Sequence, residues 1–121
     1  IAFGWLTNEP IDREAEDSYL FPVMYDAAVR EDVRKFLRGA DTSQTNAAAD
    51  KLGRFTRPAL IAWSGADKVF PKADAERLAS DLPESRLEFV EGARTFSAED
   101  QPERLAELIA GFVREPAPAR A

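Results

Sequence analysis

Histidine and cysteine are both absent from this chain of 121 residues. Without cysteine there is no disulfide framework, and without histidine as well the usual zinc and copper sites disappear, leaving only oxygen ligands for a hard cation. No cofactor is expected. The same absence removes the one side chain that exchanges protons freely near neutral pH. Long apolar runs are missing too. The longest, Ala59 to Trp63, falls far below the roughly 20 residues that a membrane-crossing helix needs, and no basic stretch leading into an apolar one opens the chain. A cytoplasmic setting with no membrane partner is the expectation. Cations are in deficit: 16 Lys and Arg stand against 22 Asp and Glu, a net charge of -6. That balance repels phosphate backbones and excludes non-specific nucleic-acid binding.

What is present is ordinary globular chemistry, 45% hydrophobic and 31% charged, enough for one domain or part of one. The chain opens at Ile1 with I-A-F-G-W-L rather than at Met, and reads as a segment of something longer. Three zones follow: 1–55, helical; 56–115, alternating strand and helix; and 116–121, a frayed tail rich in Pro and Ala.

In the first zone Asp12 to Asp17 is an acidic stretch, a solvated loop or a helix start. A helical period then runs from Tyr19 to Gly39, with Tyr25, Val29, Val33, Phe36 and Leu37 on one face and Arg30, Glu31, Asp32, Arg34 and Lys35 facing water. Glu31 and Lys35 are spaced for an i,i+4 pair, and Gly39 stands where a left-handed C-terminal cap belongs. Asp41 to Asn46 reads as polar turn, and Thr45 to Phe55 as a short Ala-rich helix.

From Arg57 the period changes. Pro58 forbids a continuing helix, and A-L-I-A-W has the unbroken apolar character of a strand buried on both faces of a parallel sheet. Asp74 is placed to cap a helix carrying Ala75, Leu78, Ala79 and Leu82, which Pro83 ends. Arg86 to Glu91 alternates as a second strand. Asp100 and Glu103 have capping-box spacing, with Pro102 in the first turn of a last helix whose stripe is Leu105, Leu108, Ile109, Phe112 and Val113. Strand, helix, strand, helix is the unit of a doubly wound α/β fold, of which two strands are present. Two parallel strands leave edges unpaired and faces uncovered, so elements outside the chain are expected to complete the sheet. Ligands of such folds bind beyond the carboxyl ends of the strands, here the loops Ser64 to Pro71 and Gly92 to Glu99, which can share one rim.

Those loops carry a resemblance. Pro58, Leu60, Trp63, Asp67 and Pro71 match the P-x-L-x-x-W-G-x-x-D-x-x-x-P pattern of α/β-hydrolases. Gly92, Ala93, Phe96, Gln101, Pro102 and Glu103 match the G-A-G-H-F-like turn and the E-x-P that follows it. The chain thus resembles the C-terminal part of an α/β-hydrolase, and Ile1 to Asp50 resembles, less specifically, the end of a helical cap of the haloalkane-dehalogenase and epoxide-hydrolase kind. The resemblance implies that Asp67 is the acid that orients the catalytic histidine. It also puts Thr95 at the histidine position, and Thr cannot act as a general base near neutral pH. No G-x-S-x-G nucleophile elbow is present, and Ser64, lacking a base, reads as a turn or cap residue.

The alternatives are local ones. Asp67 can simply cap the next helix, Arg94 can be a surface residue or pair with Glu91 or Glu99, and Glu99 and Asp100 can serve the last helix through its dipole. Trp5, Phe21, Met24 and Tyr25 can line an apolar pocket, though packing between helices is the preferred role. Three functions fit: a hydrolase of a small apolar ester, epoxide or haloalkane with its base supplied from outside the segment; a non-catalytic ligand-binding or interaction module of the same fold; or an autonomous structural domain. The first is preferred, and the segment alone is expected to be inactive.

Overall fold

The computed structural model of the chain describes residues 3–114. The tail at 116–121 therefore lies outside the described residues. Two compact units form: Ile1–Pro10 together with Lys51–Ala121, and Ile11–Asp50.

The unit Ile11–Asp50 is helical. Helix α1 spans Arg13–Tyr25, with Asp12 as its N-cap accepting from the N–H groups of Glu14 and Ala15. The acidic stretch is thus a helix start. The helical period of Tyr19 to Gly39 is not one helix but two. Asp26 ends α1, its N–H donating to the Pro22 carbonyl, and its carboxylate accepts from Ala28 and Val29 to begin α2, Ala27–Gly39. A short side chain that satisfies the backbone locally competes with continuing the helix, and here it wins. Glu31 pairs with Arg34 and Lys35 with Asp32, both at 3.8 Å, in place of the expected Glu31–Lys35 pair. Gly39 stays helical and the chain leaves through Ala40 in extended geometry. Among the described residues the only positive φ belongs to Gly92. The stretch expected to be turn at Asp41 instead caps α3, Thr42–Ala49, through the Ser43 N–H. The helix expected to run on to Phe55 gives way to a single 3-10 turn at Leu52–Arg54.

The other unit holds the sheet. Strand β1, Ala59–Ser64, runs parallel to β2, Ser85–Val90, with Ile61 opposite Leu87 and Trp63 opposite Phe89. Helix α4, Lys72–Asp81, makes the crossover between them. Pro71 takes the N-cap position, so Asp74 lies in the first turn, where its charge meets the positive end of the helix dipole, and does not cap. After β2 come a short helix α5, Ser97–Asp100, and α6, Pro102–Arg114.

Side chains alternate across a strand, so two sets separate. Leu60 and Ala62 face Val90, Ala93, Leu105 and Leu108, and Arg86 of the same face lies over the Phe112 ring at 5.7 Å, which puts α6 on that side. On the opposite side Lys72 of α4 lies over Phe89 at 4.9 Å. Helices thus cover both faces, as a doubly wound sheet requires. The cover is partial. Ile61 and Ser64 are the buried positions of β1, and Val90 that of β2, so the strand expected to be buried on both faces is half-buried through most of its length. Two helices over two strands cannot shield every position, and on α6 Ile109 and Val113 remain 48% and 74% exposed. No helix among the described residues is long and apolar enough to cross a membrane.

Candidate functional site

The loops that leave β1 and β2 are tied to each other by backbone. Gly65 N–H donates to the Val90 carbonyl and Ala66 N–H to the Ala93 carbonyl, each at 2.9 Å. The close approach depends on glycine: a Cβ on Gly65 would lie 2.9 Å from Glu91 Oε2 and 3.2 Å from the Glu91 Cα. Gly92 turns the second loop with φ +76, a conformation that L side chains rarely take. Ala93, fully buried beneath it, fixes the loop to the core.

Across this junction the Thr95 hydroxyl donates to Asp67 Oδ1 at 2.9 Å. The same oxygen accepts from the N–H groups of Val69 at 2.8 Å and Phe70 at 3.1 Å. The sequence-predicted residues Asp67 and Thr95 are therefore in direct contact at the carboxyl end of the sheet. Oδ2 of Asp67 takes no hydrogen bond from any described residue. Partial burial pushes the Asp67 carboxyl up, but the backbone N–H groups of Val69 and Phe70, the Thr95 hydroxyl and the backbone at Lys68 together outweigh burial and hold it below the usual carboxylate range. At neutral pH Asp67 is a fixed negative charge. A carboxylate of that kind orients or stabilises a cationic group and does not shuttle protons. The rim beside it is apolar, with Val69 and Phe70 about half exposed. Trp63 donates its indole N–H to the Phe70 carbonyl at 3.3 Å, which steadies this loop.

Other expectations for the region change. Ser64 ends β1 as a buried residue and also opens the turn that follows, its carbonyl accepting from the Asp67 N–H at 3.4 Å. Asp100 does not cap α6: the chain breaks at Gln101, and the Asp100 carboxylate reaches away to the backbone N–H groups of Asn8, Glu9 and Arg94. Arg94 forms no ion pair with Glu91 or Glu99. Its Nη1 donates to the carbonyls of Gly4 at 3.2 Å and Thr7 at 2.9 Å. The packing role expected for Trp5, Phe21, Met24 and Tyr25 is not found, since α1 contributes no buried residue and these four are 74%, 45%, 56% and 74% exposed. Phe21 and Tyr25 meet edge to face at 5.4 Å, a contact within one helix. An open hollow beside Phe21 and Pro22 is walled by Asp12, Arg13, Glu14, Asp17 and Ser18 and contains neither Asp67 nor Thr95. No cluster of three or more acidic residues able to hold a metal ion occurs among the described residues.

No protein-family profile matches the chain. It is 29% identical over 104 residues to the uncharacterized hydrolase YugF of Bacillus subtilis (strain 168), a match covering 86% of this chain and 37% of that protein. Among solved structures it is similar to a predicted CIB-like hydrolase from Thermoplasma acidophilum, with a TM-score of 0.54 and 28% identity over 56% of this chain and 33% of that one. The chain thus spans about a third of the length of each of these relatives.

Proposed function

We propose that this chain, which is of the α/β-hydrolase superfamily, supplies the orienting carboxylate of a hydrolytic site. In this reading Asp67 is the acid of the site, Thr95 is its fixed support, and the general base and the nucleophile come from outside Ile1 to Ala121. The observation that carries it is the division of labour on one carboxylate. Three donors saturate Oδ1 of Asp67, while Oδ2 is left without a described donor at a strand end, the position from which an α/β sheet presents its chemistry. An acid so held is ionised, aimed and able to accept one further N–H. The exposed Val69 and Phe70 beside it favour a small apolar substrate, an ester, epoxide or haloalkane, in keeping with the haloalkane-dehalogenase and epoxide-hydrolase branch and with 1–55 as the end of its cap. A cytoplasmic setting fits the same reading.

A second reading rests on Thr95. Its hydroxyl occupies the place from which a base would address Asp67 and offers no proton acceptor near neutral pH, which favours a non-catalytic, ligand-binding relative. The two are separated by turnover of activated esters, epoxides and haloalkanes by the full-length protein and by its Asp67→Asn variant. Hydrolysis that drops at least a hundredfold in Asp67→Asn supports the first reading. Hydrolysis that Asp67→Asn leaves untouched removes it, and no hydrolysis by the unaltered protein favours the second.

A further inference from the structure

The loop bearing Thr95 is gripped on both sides by a segment distant in sequence. On one side the Arg94 N–H donates to Asp100 Oδ2 at 2.8 Å, and Asp100 Oδ1 accepts from Asn8 N–H at 2.7 Å and Glu9 N–H at 3.2 Å. The Arg94 guanidinium returns to the same segment through the Gly4 and Thr7 carbonyls. On the other side the Phe96 N–H donates to the Leu6 carbonyl at 2.9 Å, and the Phe96 ring rests 5.7 Å from that of Phe3. Thr7 itself is buried. Both chain neighbours of Thr95 are thus bonded to residues 3–9, and one carboxylate, Asp100, holds the two pieces together through three backbone N–H groups. Hydrogen bonds to an ionised acceptor are roughly twice as strong as neutral ones. Arg94 Nε is buried without a partner among the described residues, and the guanidinium meets residues 3–9 through Nη1 alone.

We infer that residues 3–9 act as a strap that registers Thr95 against Asp67, and that Asp100 is the positioning residue fastening it. Asp100 is well placed for this because the Thr95–Asp67 bond tolerates little slip: a hydroxyl–carboxylate contact of 2.9 Å is lost with about 1 Å of movement. Local bonds hold the loop on either side of Thr95, at the Ala93 and Phe96 carbonyls, whereas the Arg94 N–H that adjoins Thr95 is held by Asp100. The functional consequence rests on the reading of Asp67 given above, whereas the positioning itself does not.

The test follows the titration of the Asp67 carboxyl by carbon NMR in the full-length protein, alongside its denaturant midpoint. Thr95→Val sets the reference, raising the Asp67 midpoint by removing one of the three donors on Oδ1. Asp100→Asn turns an amide N–H toward either Arg94 N–H or the Asn8 and Glu9 N–H groups, setting donor against donor and releasing one side of the fastening. The expected result is a rise of the Asp67 midpoint by at least half of that seen in Thr95→Val. A lowered denaturant midpoint with Asp67 titrating as in the unaltered protein would show Asp100 to be merely structural and overturn the inference, as would a Thr95→Val variant whose Asp67 does not move. If Asp100→Asn does not fold, Arg94→Lys, which keeps the backbone N–H but drops the paired bonds to Gly4 and Thr7, is expected to raise the midpoint less but in the same direction, and no rise overturns the inference. Turnover is read separately. Absence of hydrolysis in the unaltered protein would remove the proposed function and leave the titration result standing.

Discussion

Replacing Thr95 by Val keeps the shape of the side chain and deletes the hydroxyl that donates to Asp67. A hydrogen bond to a charged group is worth about 1.5–3 kcal/mol. Here it is one of three on the same oxygen, at a position only partly withdrawn from water, which brings the expected loss to about 1 kcal/mol at neutral pH. The loss should depend on pH, and its sign follows from the direction in which the Asp67 carboxyl is displaced. Its folded value lies below the ordinary one, so the ionised carboxylate contributes stability that is present above the unfolded value, about 3.9, and is lost as pH falls through the folded value. Thr95→Val removes part of that contribution. The difference between variant and unaltered protein is therefore largest at neutral pH and shrinks in acid, where Asp67 is protonated in both folded and unfolded states. Urea unfolding of both proteins at pH 7 and at an acid pH chosen below the titration midpoint of Asp67 in the folded protein reads this directly. An equal deficit at both pH values would mean that Thr95 acts through packing, and no deficit at pH 7 would mean that the bond to Asp67 contributes nothing; either result refutes the reasoning.

Two further substitutions probe what positions the site. Gly65→Ala drives a methyl to within 3.2 Å of the Glu91 Cα, where backbone must move, and should lower stability by about 1–3 kcal/mol in a denaturant titration. Asp26→Ala removes the cap that starts α2 and the break that ends α1, and should destabilise the helical unit by about 1 kcal/mol, seen as earlier loss of helical circular dichroism on heating with the Asp67 titration unchanged.

The α/β half of the fold could be read from local chemistry. Pro58 before an apolar run, the alternation of Arg86 to Glu91 and the stripe from Leu105 to Val113 each report a period that only one element type satisfies. The pairing of Asp67 with Thr95 followed from topology, because two loops at the carboxyl ends of adjacent parallel strands lie side by side whatever their sequences. What escaped was long-range or competitive. Asp100 has ideal capping-box spacing to Glu103, yet its partners, Asn8 and Glu9, stand 92 and 91 residues away, and no local spacing reports such a contact. Arg94 was open to either carboxylate neighbour, and carbonyls of the same distant segment claimed it. At Asp26 the apolar period continues unbroken through a residue whose side chain caps more strongly than the helix propagates. Gly39 had the composition of a left-handed cap without adopting its geometry. The exposed faces of α1 and α6 could not be anticipated from amphipathicity, which marks a face able to be buried and not the element that buries it.

The side chains of residues 67 and 95 meet at one rim of the sheet. The chain's lack of cysteine makes this contact directly measurable. A full-length protein carrying Asp67→Cys and Thr95→Cys, with any cysteine outside this chain replaced, should be joined within one molecule by a short bifunctional thiol reagent, because the side chains replaced were in hydrogen-bond contact and such a reagent spans thiols without the narrow Cβ spacing that a disulfide demands. Thiols that react singly and are not joined to each other by that reagent, in a protein shown to be folded, would contradict this placement.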